Sequence, residues 1–325
     1  MRIAIDIMGG DYAPTEIVQG ALQAAAKWPE YEIILVGRKE AVPSELPKNC
    51  RLHEANEVMG MDEKVDNLMQ KKDSSIWQAT KLVKDGEADA VVSAGSTAAQ
   101  MAAATVQWGR PKGVTRPAIG GVIPGLPHDH VMLDIGANLE CTPQMMVQFA
   151  RLGVAYAEKL LQRQNPSVAL LANGTEEQKG NDLVRETYAL LKESDLNFIG
   201  NREGRDIFTG DFDVLVFDGY TGNIAIKSAE GGVSAITELL KAEINGGGLK
   251  AKLGASLLKP GLRRVKNKLD YQQLGGAPLL GVKGVSIVCH GSSKAKAIYN
   301  AVGQAAKCVE CGFVEHITEA LKPQE

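Results

Sequence analysis

Apolar positions along this chain follow two alternating rhythms. Short apolar runs at residues 3–5, 32–36, 90–93, 131–135, 168–171, 214–217 and 285–288 predict buried strands. Between them lie helical stripes. One spans residues 15–27 on Ile17, Val18, Leu22 and Ala25, and another runs from a cap at Ser74 or Ser75 to about Lys84. A small-residue helix follows Thr97 to Trp108, a long one opens at Pro143, and another carries Leu183, Val184, Tyr188 and Leu191. A further helix runs from the 218–223 loop to Leu240, and the chain closes on one long helix with a short amphipathic tail. The polar segment 56–73 fits neither rhythm and is expected to be mobile in part. Strands alternating with helices predict an α/β fold on a mainly parallel, doubly wound sheet. We read it as one catalytic domain over residues 1–325, with a protruding basic amphipathic hairpin over 241–269.

Six of these strands leave through loops of Gly with Asp, Asn, Ser, Thr, Lys or His. The first is Asp6-Ile-Met-Gly-Gly-Asp11, where Gly9 and Gly10 permit a tight turn and Pro14 suits a first helical turn. The others are the 94–97, 136–138, 173–180, 218–223 and 289–293 loops. A single turn of this kind usually only connects two elements. Six along one edge of an open α/β sheet mark a ligand site, and helix N-termini there suit an anion. Lys179, Asn138, Asn223, Ser96, Thr97, Ser292 and His290 offer donors for a small oxyanion. Asn and Ser also cap helices, and a lone first-turn lysine is commonly solvated, so each residue alone keeps that plainer reading.

Composition narrows the chemistry by exclusion. The net charge of −3 and an aromatic content of 5% speak against nucleic acid as a partner. Five scattered cysteines fit a reducing cytoplasm, the chain enters a strand at once without a signal peptide, and no apolar run is long enough to span a membrane. There is no Gly-x-Gly-x-x-Gly and no Walker loop, so no cofactor is expected. No metal is expected either. His128-x-His130 is a lone pair, and Cys308-x-x-Cys311 sits in a predicted helix as core packing.

The sequence resembles the PlsX family, the phosphate acyltransferases of bacterial phospholipid synthesis. The stretches that carry the resemblance span nearly the whole chain in the family's order. They are Asp6-Ile-Met-Gly-Gly-Asp11, Ser93-Ala-Gly-Ser-Thr97, Asp134-Ile-Gly-Ala-Asn138, Glu177-Gln-Lys-Gly-Asn181, Asp218-Gly-Tyr-Thr-Gly-Asn223, Gly276-Ala-Pro-Leu-Leu-Gly281 and His290-Gly. One loop departs from the family pattern Ala-Gly-Asn-Thr-Gly-Ala: Ser96 and Ala98 replace the Asn and the second Gly. The resemblance implies a fold like the isocitrate and isopropylmalate dehydrogenases, shared with phosphate acetyltransferases, and a homodimer. It implies transfer of a fatty acyl group from acyl carrier protein to inorganic phosphate. The acyl phosphate formed would feed a membrane glycerol-3-phosphate acyltransferase.

Phosphate is already an anionic nucleophile, so such a site must hold it and aim it. We assign that to Lys179, with Asn223 and His290 as donors to the tetrahedral oxyanion and His290 able to protonate the thiolate. Asp6, Gly9, Gly10, Asp11, Gly95, Ser96, Thr97, Asn138, Gly222 and Ser292 form the expected phosphate-binding set, the aspartates orienting donors. Cys289 beside His290 suggests a rival acyl-cysteine route, though neighbours leaving a strand point opposite ways. Between Ile244 and Leu269 there is no acidic residue, and basic residues including Lys266 alternate with leucines around Gly246-Gly247-Gly248 and Pro260-Gly261. That pattern is either a solvated helical hairpin or an anchor for an anionic membrane, touching it through Leu253, Leu257, Leu258, Lys259 and Arg263. The same patch would also steer an acidic carrier protein. The anchor reading makes the protein cytoplasmic, held peripherally at the inner face of the cell membrane. Rival functions are an acetyltransferase using coenzyme A, a decarboxylating dehydrogenase, and a non-catalytic membrane scaffold.

Overall fold

The computed structural model describes residues 1–269 and 275–321. Its strands fall into two sheets. The first is ordered β3 (Cys50–Glu54), β2 (Glu32–Gly37), β1 (Arg2–Asp6), β4 (Ala90–Ser93), β12 (Val285–Val288), β11 (Ala277–Leu280), β5 (Ala118–Ile119). It is parallel from β3 to β12, and β11 runs antiparallel to both of its neighbours. The second is ordered β6 (Gly121–Ile123), β7 (His130–Leu133), β10 (Val214–Val216), β8 (Val168–Leu171), β9 (Phe198–Arg202), with only β6 antiparallel. The mostly parallel α/β class therefore stands, with its strands divided between two sheets rather than laid along one edge. The division falls at Gly120, between β5 and β6, which are too short to leave an apolar rhythm. One core cluster nevertheless runs through both, from Ile3, Ile5 and Val92 to Val131, Leu133, Phe149 and Val168.

The strongest apolar runs became central strands because both their faces are covered: β1, β4, β8 and β12 are buried almost throughout. The helices α1 (Thr15–Lys27), α2 (Ser75–Lys84), α3 (Thr97–Trp108), α4 (Pro143–Leu160) and α5 (Asp182–Lys192) lie where the periodicity puts them. Pro14 takes the cap position of α1 rather than its first turn. The closing helix is divided at Gly312, whose φ of 62° is left-handed, into α8 (Ala295–Glu310) and α9 (Phe313–Ala320). The expected short amphipathic tail corresponds to α9, which buries Phe313 and Ile317. Within segment 56–73, Lys71 Nζ binds Glu63 at 2.8 Å and the Val58 carbonyl at 3.0 Å, while Met59 and Leu68 are buried.

The basic segment forms α6 (Gly219–Gly246) and α7 (Gly248–Leu269), an out-and-back excursion. Its outward end begins at Gly219, bonded to the Asn138 carbonyl, and Lys268 on the return binds the Gly125 carbonyl at 3.0 Å. Gly248, at φ 70°, makes the break between the helices. Pro260 does not interrupt α7 as expected. It removes one N–H, and the carbonyl left over belongs to Ser256, an exposed residue that water can serve. The Lys266 side chain lies outside the described residues.

Candidate active site

At the exit of β1, Asp6 is buried and receives the Ser93 hydroxyl at 2.7 Å and the Met8 N–H at 3.1 Å. Burial pushes its carboxyl above the usual range, against the pull of the Ser75 and Ser93 hydroxyls. Ser93 Oγ in turn accepts the Gly95 N–H at 3.0 Å. A Cβ at Gly9 would lie 2.6 Å from Asp6 Oδ2 and 2.7 Å from the Gly95 nitrogen, so only glycine lets these loops touch. Gly10 holds φ 109°, and the Asp11 N–H donates to the Gly291 carbonyl at 2.8 Å. The exits of β1, β4 and β12 thus form one assembly. Ser96 caps α3, receiving the Ala99 N–H at 3.5 Å, and Thr97 is the first residue of that helix.

The exits of β7 and β10 form a second assembly around Asp134. This buried carboxylate accepts N–H groups from Ile119, Gly136, Ala137 and Asn138 at 2.8–3.2 Å, and the Asn138 side chain at 2.8 Å. Asn138 Nδ2 also donates to the Pro117 carbonyl at 2.8 Å, so its amide hydrogens build the loop. Asp218 caps α6 through the Thr221 N–H and hydroxyl at 2.9 and 2.7 Å. A Cβ at Gly222 would sit 2.1 Å from the Asp134 carbonyl oxygen, which makes that position a close backbone contact. Asn223 follows on α6, exposed, its side chain over Gly136.

The two assemblies meet through a residue that the sequence did not single out. Lys227 stands one turn beyond Asn223 on α6, and its Nζ lies 2.5 Å from His290 Nε2 in the β12 exit. Glu230, three residues on, sits 3.3 Å from the same ammonium. His290 Nδ1 faces the Ser292 hydroxyl at 2.7 Å and the Ser292 N–H at 3.2 Å. Burial, then the Lys227 charge, lowers the proton affinity of His290. The only sequence signal for Lys227 was its four-residue spacing from Asn223.

Asn223 and His290 are therefore linked through α6. Lys179 is exposed in the exit of β8, beside β10, its methylenes folded over Gly174. Among the described residues its ammonium bonds none of the other candidates. Cys289 turns the other way, into the core: its thiol donates to the Gly275 carbonyl at 3.3 Å, and burial pushes it up to about 12. His130 is buried against the Phe212 ring, and Cys308 lies in the core. Among the described residues no group of three His, Cys, Asp or Glu side chains is placed to hold a metal. Also among them, no helix is long and apolar enough to cross a membrane.

The chain has an α/β fold like those of phosphotransacetylases. A phosphotransacetylase from Streptococcus pyogenes superposes with a TM-score of 0.61 at 19% identity, over 97% of this chain and 94% of that one. A branched-chain phosphotransacylase from Enterococcus faecalis V583 gives 0.55 at 13% identity, over 94% and 98%. Sequence similarity goes further. Residues 1–316 match the family described as "Fatty acid synthesis protein". A phosphate acyltransferase of Desulfitobacterium hafniense (strain Y51) is 52% identical over 99% of this chain and 97% of its own length. One from Heliobacterium modesticaldum is 50% identical over 99% of each. The chain belongs to this family, the PlsX-type phosphate acyltransferases.

Proposed function

We propose that this protein moves a fatty acyl group from an acyl-(acyl carrier protein) thioester to inorganic phosphate, releasing acyl phosphate and the free carrier. The observation that carries this reading is the junction at Lys227 and His290, which brings the anion-friendly loops of the first sheet to the first turns of α6. Phosphate would lie among the 9–11 and 95–97 loops and His290, held by N–H groups and helix N-termini. Lys179 adds charge from the neighbouring exit. As a phosphate oxygen attacks the thioester carbon, charge gathers on the carbonyl oxygen, where Asn223 and His290 supply donors. The thiolate, with a pKa near ~8.5, leaves with little help. Asp6, Asp134 and Asp218 are spent on backbone and hydroxyl donors, so they shape the loops without repelling the anion. Met61, whose methyl lies over Gly291, offers an apolar surface beside the polar loops for the acyl chain.

The carrier protein, the downstream membrane acyltransferase, a homodimer and a peripheral place at the inner membrane face belong to the same reading. The exposed residues of α7 support the membrane part: Leu253 is 66%, Leu257 77% and Leu258 64% exposed. Lys259, Pro260, Arg263 and Arg264 line a shallow groove with Ser256, which suits anionic headgroups. Ile236, Leu239 and Leu240, exposed on α6, give a second copy an apolar face. Replacing both Leu257 and Leu258 with Glu is expected to abolish sedimentation with anionic vesicles. Unchanged sedimentation would refute the anchor.

The function is tested by incubating purified protein with acyl-carrier thioester and following thiol release with and without phosphate, and with acyl-coenzyme A at equal concentration. Phosphate-dependent release that favours the carrier protein supports the reading; preference for coenzyme A supports the acetyltransferase alternative. In the same assay Cys289→Ala is expected to keep most activity, because the thiol is buried, protonated and turned away. Its inactivation in a folded protein would revive the acyl-cysteine route.

A further inference from the structure

A lysine ammonium can only donate hydrogen bonds, so at His290 Nε2 it is satisfied by a ring nitrogen without a proton. The Ser292 N–H also points at this ring, at Nδ1, while the Ser292 hydroxyl can give or accept. In the neutral ring the one proton then sits on Nδ1, where the Ser292 hydroxyl accepts it, whereas a doubly protonated ring would also aim its Nε2–H at the ammonium. Among the described residues, Glu230 on α6 and Asp11 in the β1 exit pull the other way and favour protonation.

We propose that Lys227 is the positioning residue of this site: its ammonium seats the His290 ring in neutral form, and acyl transfer runs through that form. This rests on the acyl-transfer reading and deepens it. When His290 takes a proton the Lys227 contact becomes repulsive, the ring leaves its seat between Lys227 and Ser292, and the donor is lost. Lys227 thus sets how far into acid the enzyme works. It does so from α6, whose first turns also carry Asn223, so both donors are held by one helix.

The test uses full-length protein with isotope-labelled histidine, whose five resonances are few enough to assign, His290 by its loss in His290→Gln. The His290 titration midpoint is expected to move upward in Lys227→Met, since the Lys227 charge that adds to burial in holding it down is then gone, and to stay in place in Lys227→Arg. The acid limb of phosphate-dependent thiol release is expected to move the same way in Lys227→Met, and Lys227→Arg to restore it. A midpoint that stays put in folded Lys227→Met overturns the proposal. So does a midpoint that moves while the acid limb does not. Wild-type protein that releases no thiol with phosphate sinks the acyl-transfer reading instead, and the proposal's claim on the reaction with it. The titration midpoints alone would then still show whether Lys227 governs the His290 proton.

Discussion

Asn223→Ala is expected to slow phosphate-dependent thiol release by about 10²–10³, the usual cost of losing one preorganised donor to a tetrahedral oxyanion. The side chain is exposed over Gly136, so its truncation opens no cavity and should leave the unfolding midpoint where it was. That separates loss of a donor from loss of the fold. Asn223→Asp is the sharper control. It keeps the shape but offers no donor and adds a negative charge beside an anionic substrate, so it should be at least as slow. His290→Ala is expected to behave like Asn223→Ala. Lys179→Ala should act mainly on the KM for phosphate, because we assign it only the holding of the anion, and among the described residues it bonds none of the other candidates. Near-normal turnover in all three alanine variants would remove the site assignment altogether.

What could be read from the residues follows from where the physics is local. Central strands such as β4 and β8 are apolar on both faces, and a run of such residues has one stable use. Edge strands do not announce themselves: β3 and β9 are mostly half-buried and mixed in character; β11, paired on both sides, carries Pro278, which counts against a strand. The loops that build the site were legible as loops, because Gly, Asn and Asp at a strand exit restrict what the backbone can do. The partners of their side chains were not. Asn138 has the composition of an anion donor, yet its amide hydrogens go to Pro117 and Asp134. Lys227 and His290 are 63 residues apart, and only the placement of α6 against the β12 exit joins them. The division into two sheets was hidden for the same reason, since it depends on strands of two and three residues.

Asp134→Ala is expected to be the most damaging single change outside the main apolar core. The carboxylate holds four backbone N–H groups and one side-chain amide. Gly136 and Ala137 are half-exposed, so their N–H groups can turn to water once the carboxylate is gone. Ile119 and Asn138 are buried and cannot. Stranding three buried donors, the Ile119 N–H and the backbone and side-chain N–H groups of Asn138, at roughly 1–3 kcal/mol each gives about 3–9 kcal/mol, against a total stability of about 5–15 kcal/mol for a typical protein. The loss also reaches the site, since the Asn138 carbonyl receives the Gly219 N–H at the start of α6. A loosened 134–138 loop therefore frees the helix that carries Asn223 and Lys227. Urea unfolding should show a much lower midpoint for Asp134→Ala and a smaller drop for Asp134→Asn, which keeps one acceptor oxygen in place. An Asp134→Ala protein with the wild-type midpoint and slope would mean that water already serves these N–H groups and that the carboxylate does not hold the two strand exits together.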